Sequence, residues 1–351
     1  MAKLEWTREE LLSDLPYDEP LFAGGVRCHG GFKDGRYVSP RTLHRAPAIQ
    51  AWQARLRAEG HPLLDVPHQF VPPHYPNYPQ ARLLLQEGVR EPVIRALTTI
   101  SIVEGFGARI RDLVLPDLSR EVKEDLSGTA LAHLGNGLFE AHARDEAGFR
   151  EEGGHKQMWE AARDLGLSKP EIPDDVLLAM MRGGGRGERR RLFPELSGRL
   201  EDMIAFLANV MVVEIFAEDV FEWAKALLGD GEVSADPVGA PALVAAIQSD
   251  EKPHVEYLRT ALSELRARTL RSPDGKLEID GATVVDRIFA AQLRAIATTQ
   301  PARERNDVRA AIHRAMDDAP RATALARRFE GLDSGWTFPA RDDERLALLR
   351  S

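Results

Sequence analysis

Apolar positions recur at helical spacing from Pro92 onward: Val93, Leu97, Ile100, Glu104, Gly107 and Arg111 share one stripe, which runs to the breaker Pro116. The pattern predicts a short amphipathic piece at about 119–134 and then a long helix from about Leu138 to Leu165, stopped by Gly166. Two more long helices are expected, from about Ser197 to Leu228 and from about Pro241 to Thr269. Beyond the turn at Ser272–Gly275, helical stretches near 282–298 and 302–328 predict an appended cap. Before Pro92 the picture changes. Gly24-Gly25, Gly30-Gly31 and the proline-rich run 71–79 interrupt any long period, leaving one expected helix around 47–58 and an arm that wraps a core rather than forming one. Strand alternation is nearly absent, apart from a short Lys276–Ile279 segment. The expected organisation is all-α, with an irregular amino-terminal arm (1–90), a helical bundle (91–270) and a helical carboxy-terminal extension (271–351).

Two of these apolar stretches each contain a single ionisable side chain. Glu104 is alone in 97–108, and Glu214 is alone in 203–217. A carboxylate buried without a partner either neutralises or destabilises the fold. Each lone glutamate is followed by a Glu-x-x-His: Glu152 with His155, and Glu251 with His254. Residues three apart in a helix lie on nearly the same face, so each pair can present an oxygen and a nitrogen to one point. Four carboxylates are balanced by two divalent cations, and carboxylate-rich donor sets suit iron or manganese.

These residues, with the phrase Asp250–Leu258, make 92–269 resemble the ferritin-like di-iron carboxylate superfamily. The resemblance implies a four-helix bundle holding two irons, or manganese or a mixed pair. Glu104, Glu152 and His155 would serve one side, and Glu214, Glu251 and His254 the other. Glu218, one turn beyond Glu214, is a candidate proton relay. The implied activity is that of an oxidase or monooxygenase that activates dioxygen to oxidise a small organic substrate, supplied by an unidentified electron donor. Iron oxidation and storage, manganese peroxide chemistry and a metal-free scaffold are the alternatives. The segments flanking the bundle favour the oxygenase, because they can enclose a pocket. Gly105 and Gly107 leave room there, and Phe106, Val210, Met211, Phe216 and Phe221 can supply walls or simply pack.

Several features leave alternatives open. Glu140, His142, Asp145 and Glu146 form a rival acidic and histidine cluster, which ordinarily reads as a solvated face. Pro253 lies inside the second motif and admits a helix restart near Ser249, and Gly153-Gly154 in the first admits a break. Glu104 can also pair with Arg109 or Arg111. His29, His61, His68, His74, His133 and His313 are scattered and read as ordinary surface or loop residues.

Charge narrows the partners. With 351 residues, 43% hydrophobic content and a net formal charge of -9, the chain reads as a globular protein with no polybasic face for nucleic acid or anionic membrane. No apolar run is long enough for a signal or membrane segment, which predicts a cytoplasmic location. A homodimer is compatible with the sequence but not specified by it. The lone cysteine, Cys28, precludes an internal disulfide and is expected to be inert. The glycine- and arginine-rich stretch 182–191 lacks the strand and Lys-Ser/Thr ending of a phosphate loop and reads as a linker.

Overall fold

A computed structural model describes residues 3–176 and 191–337. The stretch 182–190 of the basic linker and the chain's last fourteen residues lie outside them. The fold is mostly helical. Its longer helices are α1 (Arg45–Ala58), α2 (Tyr78–Gln86), α3 (Glu91–Gly107), α4 (Phe139–Ala147), α5 (His155–Gly166), α6 (Gly198–Leu228), α7 (Gly239–Arg266), α8 (Gly281–Arg314) and α9 (Ala319–Glu330). Local sequence sets several of the starts. Ser197 Oγ accepts from Leu200 N at 3.0 Å, Asp280 Oδ2 from Thr283 N at 2.9 Å, and Asn77 and Gln80 cap α2 reciprocally. No helix of the described residues is long and apolar enough to cross a membrane.

The expected single helix over 138–165 is two helices, α4 and α5, joined by a bend at 148–154. The piece at 119–134 reduces to one-turn helices at Leu118–Glu121 and Ala130–His133. By contrast α7 runs unbroken through Pro253, so no new helix begins near Ser249. Packing and the many hydrogen bonds of a 28-residue helix outweigh the loss of one donor there.

The amino-terminal arm is more ordered than its glycines suggest. Strands β1 (Glu19–Ala23), β2 (Val26–Lys33) and β3 (Arg36–Val38) form an antiparallel sheet in the order β1-β2-β3. Gly24-Gly25 (φ 58° and 82°) and Asp34-Gly35 (φ 50° and 70°) are the two-residue turns between paired Ala23 and Val26 and between paired Lys33 and Arg36. Positive φ at both central residues is what the right-handed twist of a tight hairpin demands. A second, two-stranded pair joins Thr269–Arg271 (β4) to Glu278–Asp280 (β5).

Helix α3 packs on α4 and α5, α5 on α7, and α7 on α6, while α8 lies across α6 and α7. Helix α9 returns to α2, where Gln80 Nε2 donates to Phe329 O at 3.1 Å. Two main apolar cores result. One gathers Trp52, Leu138, Met211, Tyr257 and Phe289, and the other gathers Cys28, Leu97, Trp159, Phe221 and Ile247. Helices α6 and α7 pass from one core into the other, α3 leads from the second core into the turn Ala108–Asp112 that joins the first, and Glu104, Glu214 and Glu251 fall at the crossing. Helix α4 contributes to the first core and α5 to the second, so the 148–154 bend sits at the same level.

Candidate metal centre

Between the two cores seven side chains from five helices turn inward: Glu104 (α3), His142 and Glu146 (α4), His155 (α5), Glu214 (α6), and Glu251 and His254 (α7). Their donor atoms sort into two sets. Glu104, Glu146, His155 and Glu251 form one, with ligand atoms within 4.8 Å of one another; His142, Glu146, Glu214 and His254 form the other within the same limit.

Two carboxylates span the sets. Glu251 Oε1 lies 2.8 Å from His155 Nδ1, whereas its Oε2 lies 2.7 Å from His254 Nδ1. Glu146 Oε2 lies 3.7 Å from His155 Nδ1, and its Oε1 lies 3.2 Å from His254 Nδ1. Glu214 Oε1 and Glu146 Oε1 are each 3.5 Å from His142 Nε2. Glu104 Oε2 closes the first set at 3.8 Å from His155 Nδ1, and its other oxygen accepts from Trp159 Nε1 at 3.1 Å.

Burial makes these atoms costly. The three histidine side chains are 0% exposed and Glu146 is 2% exposed. Both oxygens of Glu146 and of Glu251, with His142 Nε2, His155 Nδ1 and His254 Nδ1, are enclosed without a satisfactory hydrogen bond. Buried polar atoms are nearly always paired, so this many orphans around one volume marks a candidate ligand site. The charges respond. Burial, then the neighbouring Glu146, pushes Glu104 well above its ordinary value, and burial with Glu251 does the same to Glu214. Burial would lower His155 and His254, yet the Glu251 carboxylate beside both raises them well above the imidazole range. With no cation present these shifts favour protons on the two histidines, Glu104 and Glu214, whereas the histidines hold Glu146 and Glu251 low despite burial.

Two of the three outer nitrogens are hydrogen-bonded, and the third, His155 Nε2, only faces a carboxylate. His254 Nε2 is 2.8 Å from Asp145 Oδ2, His142 Nδ1 is 3.1 Å from Tyr257 Oη, and His155 Nε2 is 3.5 Å from Asp250 Oδ2. Asp145 would be raised by burial, but Arg41 and Arg45 hold it well below the carboxylate range. The two aspartates and two arginines of this outer layer cancel. Four inner carboxylates remain, which two divalent cations neutralise. Oxygen and imidazole donors with no thiolate suit iron or manganese, so the residues fit such a pair.

Glu104, His155, Glu214, Glu251 and His254 come together. Glu152 does not: it lies in the bend, with its side chain 34% exposed and 3.1 Å from Arg27. The i, i+3 argument required a continuous helix, and the chain breaks there. Gly148 has φ 81°, and a Cβ on it would stand 2.2 Å from Glu152 O; a Cβ on Gly154 would stand 2.4 Å from Asp145 O. The bend is stitched to β2 by Gly153 N to Arg27 O at 2.8 Å and His29 N to Gly153 O at 2.9 Å. His155 therefore opens a new helix and turns back to the centre, while Glu146, on the unbroken α4, occupies the place expected of Glu152. Glu218 also lies elsewhere. It is exposed and accepts from Gln248 Nε2 at 2.8 Å, since four residues carry it roughly 6 Å along the helix axis.

His142, Glu146 and Asp145 thus belong to the site rather than to a solvated face. Their signal was the i, i+4 spacing of His142 and Glu146, which faces both inward once α4 is bounded by its glycines. His29, expected at the surface, is buried with Nε2 3.2 Å from Asp250 Oδ2. Among the proposed walls, Met211 and Phe221 are core, whereas Phe106 is exposed beneath Arg109. Gly107 serves the centre directly, because a Cβ there would meet Glu146 Cγ at 2.7 Å. The Cys28 thiol is pushed up to about 11 by burial, which leaves it a poor nucleophile.

No protein-family model, curated protein or solved structure matches the chain. Its chemistry is therefore read from the site's geometry.

Proposed function

We propose that the helices carrying the seven donors form a ferritin-like bundle around a di-iron carboxylate centre, and that the protein is a cytoplasmic oxidoreductase. One observation carries the reading: the orphaned atoms of Glu146 and Glu251 divide, one oxygen to each donor set, as bridging carboxylates do. Glu104 and His155 complete the first position, and His142, Glu214 and His254 the second. When bound, the two ions supply redox chemistry that activates dioxygen for oxidation of a small organic substrate, with electrons from a separate donor.

The chain's own residues set the approach. Side-chain exposure within the centre is highest at Glu104, 11%, and Glu214, 9%, so the side formed by α3 and α6 is the one nearest solvent. The opposite side is closed by Asp145, Asp250 and the arm behind them. Trp159 Nε1 donates to Glu104 Oε1 and steadies that carboxylate, which leaves Oε2 to the first position.

Purified protein is expected to carry about two ions of iron per chain and, once reduced, to consume dioxygen faster when a suitable organic compound is present. Manganese in place of iron, or accumulation of a ferric mineral, would redirect the reading to peroxide chemistry or storage. Failure to retain any transition metal would end it.

A further inference from the structure

We propose that Arg41 is a positioning residue for both inward-facing Nδ1 donors, His155 and His254; the inference rests on the di-metal reading above. An arginine only donates. Arg41 Nη2, 3.2 Å from His29 Nδ1, therefore makes that nitrogen the acceptor and puts the His29 ring proton on Nε2. From there it is donated to Asp250 Oδ2 at 3.2 Å, the oxygen that also accepts from Tyr37 Oη at 2.7 Å. That oxygen also stands 3.5 Å from His155 Nε2, an electrostatic contact without hydrogen-bond geometry, and its negative charge favours the His155 proton on the outer nitrogen.

The same guanidinium reaches the other histidine. Arg41 Nε donates to Asp145 Oδ1 at 2.7 Å, and Nη2 contacts that oxygen as well. Arg45 Nη1 binds Asp145 Oδ2 at 2.7 Å, and this oxygen accepts from His254 Nε2 at 2.8 Å. One side chain thus anchors two relays, one through Asp145 to His254 and one through His29 and Asp250 to His155. With the outer nitrogen of His254 donating to Asp145 and that of His155 set beside an Asp250 oxygen, each Nδ1 is left facing the centre. Partners of this kind fix the tautomer and orientation of metal-bound imidazoles.

The backbone at Arg41 is built for the task. Its φ is 50°, a region that costs a bulky residue on the order of 1 kcal/mol. Its N–H is tied to Asp14 Oδ1 at 2.6 Å, and the residue is buried, just beyond the β1–β3 sheet. The arrangement also speaks against a third cation among His29, His155 and Asp250, although their donor atoms cluster. A cation on His29 Nε2 would displace its proton, and Nδ1, engaged by a guanidinium, cannot receive it.

The test compares the full-length chain with Arg41→Gln and Arg41→Lys, using Co2+ as the probe. Visible absorption reads affinity and ligand field, circular dichroism reads folding, and histidine 15N spectra of the metal-free protein read tautomers. Wild type should show His29 protonated on Nε2. Both folded variants should bind Co2+ about 10–100-fold more weakly, with an altered absorption band and a changed His29 signal. A purely structural role would lower the melting temperature but leave affinity, band and tautomer unchanged, and would overturn the inference. If Arg41→Gln does not fold, Arg41→Lys and the wild-type tautomer decide: a wild-type His29 protonated on Nδ1 contradicts the proposal. Wild type that takes up no Co2+ sinks the di-metal reading and this inference with it; wild type and folded variants that bind Co2+ equally sink the inference alone.

Discussion

The two halves of the centre are built differently. On α7, Glu251 and His254 stand three residues apart in one continuous helix, and both reach the centre despite Pro253 between them. On the other side, Glu152 and His155 have the same spacing, yet the chain leaves the helix at Gly148 and re-enters it at His155. Glu152 ends beside Arg27, and Glu146 takes its place from the preceding helix. Spacing predicts convergence only where the backbone repeats. A proline that removes one donor is absorbed by a long packed helix, whereas glycines with a positive φ and backbone pressed against them redirect the chain.

Replacing Glu146 tests the contrast most strongly. Because it faces both donor sets, Glu146→Ala should empty both positions, lowering bound metal from about two ions per chain toward none, as read by elemental analysis of the folded variant. Glu251→Ala should do likewise. If Glu146→Ala kept its metal and Glu152→Ala lost it, the assignment of the broken half would be reversed.

The bend itself comes next. Gly148→Ala would force a side chain into a backbone region almost reserved for glycine, with Cβ 2.2 Å from Glu152 O. It should destabilise the protein by roughly 2–4 kcal/mol in urea denaturation. A loss below that of an ordinary surface change would mean the bend tolerates another path.

Protonation gives a third test. The raised values of His155, His254, Glu104 and Glu214 mean that the metal-free fold binds more protons than the unfolded chain near neutral pH. Their contribution to stability is complete below the unfolded values and is lost as pH rises through the raised ones. Metal ions displace these protons, so metal affinity should strengthen with rising pH. Melting curves with and without Mn2+ should therefore separate further as pH increases; a separation that narrowed would contradict protons on these four groups. The smallest effect is expected at Glu152→Ala. A partly exposed ion pair is worth about 0–1 kcal/mol, so melting temperature and metal content should hardly change.

Much of this was legible beforehand. The lone carboxylates of α3 and α6 were visible because each interrupts an apolar helical stripe, and Glu251 with His254 because their helix is regular. The hairpins of the arm were legible in principle: Gly24-Gly25 and Asp34-Gly35 are tight-turn pairs, though their neighbours lack the alternation that would have marked strands. His142 and Glu146 were visible as a cluster, but nothing local distinguished them from a charged outer face. His29, Tyr37 and Arg41 carried no signal at all. Each meets its partner across more than a hundred residues of chain, except His29 with Arg41.

The sequence by itself determined most of the long helices and a pair of buried carboxylates that require compensation, because periodicity and burial cost are local properties. Only the tertiary structure decided which carboxylate joins His155 and which side chains orient the histidines. Those choices depend on where a glycine bend sends the chain and on what a distant sheet lays against it, and neither distance nor direction between remote segments is encoded in residue spacing.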